Sequence, residues 1–106
     1  MRTRIALVAA AATLMALAAP TGAATSHTVT VGDDFFRPTT LTVNRGTVVT
    51  WRWRGQNPHN VTVTSGPARF HSPTKTSGTF SRNLSRAGTY RLICTIHHFR
   101  MKLVVR

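Results

Sequence analysis

Tyr90-Arg91-Leu92-Ile93-Cys94-Thr95-Ile96-His97-His98-Phe99-Arg100-Met101-Lys102-Leu103-Val104-Val105 reads as two strands joined by a turn. Apolar residues alternate with Arg or Lys on both sides of residues 95–100. Side chains of a strand point to opposite faces in turn, so this pattern buries one face and leaves the other in water. The turn between the two strands carries a thiol and two imidazoles, and a thioether stands just beyond it.

The same alternation runs back through the chain. It is present in Thr28-Val29-Thr30-Val31, Leu41-Thr42-Val43, Val49-Thr50-Trp51-Arg52-Trp53, Val61-Thr62-Val63 and residues 80–84. Turn formers separate these runs: Gly32-Asp33-Asp34, Asn44-Arg45-Gly46, Gly55-Gln56-Asn57-Pro58, Ser65-Gly66-Pro67 and Arg86-Ala87-Gly88. From Thr25 onward there are fifteen Thr, nine Val and two Ile, against two Ala, one Gln and no Glu. That composition starves helices and suits strands. About seven short strands are predicted, packed as an all-β antiparallel sandwich or barrel. The longest irregular stretch, residues 65–78, reads as loop plus a short strand.

Residues 1–24 belong to a different class. Arg2 and Arg4 precede an apolar run over residues 5–19, followed by Pro20 and small residues through Ala24. This is the pattern of a secretory signal peptide, and a fifteen-residue run, apolar but for Thr13 and ending at a proline, is short for a membrane span. The expected division is a signal peptide at 1–24 and one domain at 25–106. The whole chain has 106 residues and a formal net charge of +12. Removing the signal takes two arginines and leaves +10 on 82 residues. So short a domain cannot hold several catalytic modules. With a single cysteine, Cys94, it has no intramolecular disulfide either. A lone thiol in an exported domain is buried and inert, paired between chains, or held by a metal.

The candidate chemistry lies in Cys94-Thr95-Ile96-His97-His98-Phe99-Arg100-Met101, with Pro58-His59-Asn60 upstream at the start of another strand. Two imidazoles and a thiolate in a trigonal set, with a weak axial thioether, describe a mononuclear copper electron-transfer site. Structural zinc favours a closed tetrahedral set with paired cysteines, which one Cys and a Met fit poorly. A Cys-His nucleophile would need an orienting acid and a substrate cleft, and no acidic residue adjoins this turn. The plain alternative is a buried cysteine with two surface histidines, Met101 then being core filler.

Phe36-x-Pro38, Val43-x-x-Gly46-Thr47-x-Val49-x-Trp51, Pro58-His59-Asn60, Ala87-Gly88-Thr89-Tyr90 and Cys94-x-x-His97-x-x-x-Met101 occur in that order. With these marks, residues 29–105 resemble a small bacterial cupredoxin, a blue copper protein of the plastocyanin/azurin type, in its amicyanin- and pseudoazurin-like branch. The resemblance implies a Greek-key β-sandwich and one copper per domain, cycling Cu(II)/Cu(I) one electron at a time. It implies His59, Cys94 and His97 as equatorial ligands and Met101 as the axial one. Asn60 would tie the two ligand segments together near the cysteine. Phe99 and Pro58 would form a hydrophobic collar, although Phe99 also fits as ordinary core. The spacing is mixed. Two residues separate Cys94 from His97, as in plastocyanins and amicyanins, whereas three separate His97 from Met101, as in azurins. On the amicyanin pattern the methionine would stand at Arg100.

Other residues receive plainer readings. His98 is expected to point outward, His71 to lie in a loop, and Trp51 and Trp53 to pack in the core. If cleavage follows Ala24, the free amine of Thr25-Ser26-His27 could wrap Cu(II) or Ni(II) in four nitrogens. Three functions compete: an exported electron carrier, an extracytoplasmic copper carrier or buffer using the same residues, and a basic nucleic-acid binder. The arginines are spread along the chain, and export argues against nucleic acid. The expectation is a monomeric, non-enzymatic protein with no stable membrane insertion, located in the periplasm, cell wall or medium. Its positive charge predicts a redox partner with an acidic face.

Overall fold

The computed structural model describes residues 25–106, and the expected signal peptide at 1–24 lies outside them. Eight strands follow in order: β1 (Ser26–Gly32), β2 (Phe35–Arg37), β3 (Thr40–Val43), β4 (Thr47–Trp53), β5 (Thr62–Ser65), β6 (Thr79–Leu84), β7 (Gly88–Ile93) and β8 (Arg100–Val105). Two four-stranded sheets result, in the orders β2-β1-β4-β6 and β3-β8-β7-β5. Among the described residues, no helix is long and apolar enough to cross a membrane.

The all-β sandwich matches expectation, with two differences. The additional strand is β2, which pairs with the end of β1 across the tight turn at Asp33-Asp34. Three residues offer too little alternation to mark a strand in sequence, yet they suffice to carry Phe36 into the core. The second difference is direction: β1 pairs with β4, and β3 with β8, in parallel. Between β1 and β4 the chain crosses to the other sheet to form β3, so it returns running the same way. A hairpin would have reversed it.

The interior is made by the apolar face of each alternating strand. Along β4, Val49, Trp51 and Trp53 are buried while Arg52 between them is exposed. Trp51 occupies the middle, with Phe70 and Phe80 at centroid distances of 5.9 and 6.0 Å. The irregular stretch that supplies Phe70 is pinned along residues 59–63 by backbone bonds. Val63 N–H donates to Phe70, Ser72 N–H to Val61, and His59 and Lys75 exchange a pair. At the far end, Tyr90 gives its hydroxyl proton to the Arg86 carbonyl at 2.7 Å, closing the turn before β7. Gly88 there has φ of 141°, and a Cβ on it would press into the Pro67 ring.

Candidate metal centre

β1 and β4 are parallel, so both finish at the same end of the sandwich. The Asp33-Asp34 turn follows β1, residues 54–60 follow β4, and residues 94–99 connect β7 to β8. These three segments build the site.

His59 is fully buried. Its backbone is clamped by the two bonds to Lys75, and its carbonyl also accepts the Trp53 indole N–H at 3.1 Å. The ring is fixed at Nε2, which stands 2.9 Å from Asp33 Oδ1. A carboxylate there requires Nε2 to carry the proton, which leaves the Nδ1 lone pair free. That lone pair points at His97 Nδ1, 3.0 Å away, and at Cys94 Sγ, 3.8 Å away.

Cys94 follows directly on β7 and begins a tight loop. Its N–H donates to the Phe99 carbonyl, and its own carbonyl accepts the His98 N–H. His98 adopts φ of 65°, a left-handed conformation that reverses the chain. His97 thereby faces the site while His98 is exposed. Burial pushes the Cys94 thiol up, but the backbone N–H groups of His97, Asn60 and Ile96, with the His59 imidazole, outweigh it. The net effect holds the thiol below its ordinary value and favours the thiolate, the form that binds metals.

Asn60 joins the two ligand segments. Its amide donates to Thr95 Oγ1 at 2.8 Å and Thr74 Oγ1 at 3.4 Å. Its carbonyl accepts the Thr95 N–H at 3.1 Å and the Thr62 hydroxyl at 2.9 Å. Phe99, half-buried, sets its ring edge against both Phe36 and His59, at 4.7 and 5.2 Å.

The structure therefore brings His59, Cys94 and His97 together, with ligand atoms all within 4.8 Å of one another. Two imidazole nitrogens and a sulfur this close can converge on one metal ion, and this N₂S set suits copper. Met101 has a partner of its own. It faces the interior from β8, where its Sδ accepts the Trp51 indole N–H at 3.4 Å. Arg100, at the amicyanin spacing, is exposed. His71 and His27 are exposed on β-paired backbone, opposite Thr62 and Val49.

Spacing gave no hint of Asp33 and Asp34. Asp33 accepts the backbone N–H groups of Asn57 and Gln56 as well as the His59 proton, which pulls its carboxyl down to about 2. Asp34 Oδ1 stands 3.9 Å from His97 Nδ1. The one available signal was scarcity, for these are the only acidic residues in the chain.

Comparison with known proteins agrees with this geometry. The family described as "Cupredoxin-like domain" matches residues 4–105. A reduced tryptophan-to-tyrosine variant of amicyanin is 30% identical over 79% of this chain and 85% of its own, with a TM-score of 0.70. A methionine-to-alanine variant of amicyanin in the Cu(I) form is 31% identical over 76% of this chain and 82% of that one, with a TM-score of 0.69. An oxidised proline-to-glycine variant is 32% identical over 84% and 88%, with a TM-score of 0.67. No curated protein sequence matches the chain.

Proposed function

The chain belongs to the cupredoxin-like family, with amicyanin-like structure, and from that membership we propose that it is an exported one-electron carrier. Its single copper is held by His59, Cys94 and His97. The observation that carries this reading is the convergence of His59 Nδ1, His97 Nδ1 and Cys94 Sγ. Copper in such a set supplies a Cu(II)/Cu(I) couple.

The protein's own part is to hold the donors still. His59 is locked through its backbone and Nε2, Cys94 is held toward thiolate by surrounding N–H groups, and Asn60 keeps their two segments in register. Donors fixed in advance have little to rearrange when the charge at the centre changes. His97 is the ligand with access to solvent, its side chain 32% exposed. Its ring edge is the natural port for an electron.

Export rests on the leader pattern at residues 1–24, and an acidic-faced partner on the excess of arginine. Met101 we assign to the interior beside Trp51, leaving three strong donors in the set.

Visible and EPR spectroscopy of the purified protein after addition of Cu(II) tests the proposal. An intense thiolate-to-copper charge-transfer band is expected, and it must vanish in Cys94→Ala. Retention of the band in that variant overturns the assignment. Rapid surrender of copper to a competing protein, without a stable reversible redox wave, would instead identify a copper carrier.

A further inference from the structure

We propose that Asp33 is a positioning residue for the copper site: it fixes the tautomer and orientation of His59 and thereby favours Cu(II) over Cu(I). The inference rests on the copper reading above and deepens it.

Three observations carry it. First, Asp33 reaches across from the β1–β2 turn to the segment that delivers His59. Its Oδ1 accepts the Asn57 N–H and the His59 Nε2–H, each at 2.9 Å, and its Oδ2 accepts the Gln56 N–H at 2.9 Å. Three donors converge on one carboxylate, and one of them belongs to a fully buried metal ligand. Second, the neighbouring backbone is shaped around that carboxylate. A Cβ placed on Gly55 would collide with the Asp33 side chain, whose Cγ would lie 2.6 Å away. Only glycine leaves room for the loop to wrap the carboxylate this closely. Third, the chain has fourteen basic residues and two acidic ones, and one of those two is spent here.

The chemistry follows from the bond. A carboxylate on Nε2–H places the lone pair on Nδ1, pins the ring plane, and raises the electron density that Nδ1 offers. The higher oxidation state gains more from that density, so losing it weakens Cu(II) more than Cu(I). Partners of this kind change metal affinity by about 10–100-fold. A tenfold loss confined to Cu(II) raises a one-electron potential by about 59 mV.

Asp33 also ties a loop, and the test separates the two roles. Asp33→Asn keeps an Oδ1 acceptor for the Gln56, Asn57 and His59 N–H groups but removes the charge, whereas Asp33→Ala removes the acceptor as well. Ser85→Lys is the control, changing the net charge by the same amount in the exposed β6–β7 turn at the other end of the sandwich. In the metal-free protein, ¹⁵N NMR of the histidine rings should find His59 protonated at Nε2 in the parent and in Ser85→Lys. That fixed tautomer should be lost in Asp33→Ala. On loading, Asp33→Asn should bind Cu(II) at least about tenfold more weakly in competition titrations, with a smaller loss for Cu(I). Its potential should be correspondingly higher.

A His59 tautomer unchanged in Asp33→Ala, or a potential unchanged in Asp33→Asn, with only a lower melting temperature, overturns the proposal in favour of a loop tie. An equal shift in Ser85→Lys also overturns it, because net charge alone would then be acting. If the parent fails to bind copper, the electron-carrier reading fails, and the NMR arm still decides whether Asp33 sets the His59 tautomer.

Discussion

Trp51 of β4 donates its indole N–H to the sulfur of Met101 on β8, 3.4 Å away and across the interior from one sheet to the other. The residue that spacing nominated as an axial ligand thus helps to join the two layers. Met101→Leu keeps the volume but leaves a buried N–H without an acceptor, at a cost of about 1–3 kcal/mol. The charge-transfer band and the potential should stay close to those of the parent. Denaturant unfolding and voltammetry of the same preparation check both halves.

Asn60 forms four hydrogen bonds, and the two to Thr95 bind the His59 and Cys94 segments to each other. Asn60→Ala removes both bonds to Thr95, with an expected loss of about 1–3 kcal/mol. Because the two ligand segments are then free to part, copper should also pass faster to a chelator. Loss of the visible band with time measures this.

Tyr90 is the chain's single tyrosine, so its titration can be followed without interference. Burial raises its pKa above 10.0, partly opposed by the Arg86 charge. A raised folded value means its contribution to stability is fully present below pH 10.0 and declines as pH climbs through the folded pKa. Tyrosinate absorbance should therefore appear later in the folded protein than in the protein unfolded by denaturant. Tyr90→Phe should remove that part of the alkaline loss of stability.

Charge should govern encounters. The excess of arginine predicts that a small anionic oxidant reacts faster than a cationic one of similar driving force, and that added salt slows the first. Stopped-flow rates of the reduced protein across a salt series give the sign directly. A rate with the anionic oxidant that rises with salt would contradict the expectation.

His97 carries the electron port in this reading. His97→Gly should slow exchange with protein partners more than it weakens folding, since the side chain lies in an open turn. Adding free imidazole to this variant should restore the visible band if the vacated position is a copper ligand. Absorbance during an imidazole titration is the measurement.

Much of this protein was legible because it is local. Alternation needs only a few consecutive residues, so seven strands and the buried faces of Trp51, Trp53, Leu92 and Leu103 could be read along the chain. Cys94 and His97 share one turn, and their separation is a property of that turn alone. β2 was harder to see, because three residues paired across a tight turn barely establish a period.

The remaining decisions belong to packing. Asp33 and His59 are 26 residues apart, and Trp51 and Met101 are 50 apart. No periodicity links such positions. The first pair meets because β1 and β4 run parallel and finish together. The second meets because β4 and β8 lie in opposite sheets, with Trp51 and Met101 both turned inward. Strand identity and the Cys-His turn were determined by the amino-acid order, since short-range sterics and alternation suffice for both. Which carboxylate holds the buried imidazole, and whether the thioether faces metal or tryptophan, depended on sheet register and layer packing, which only the folded chain defines.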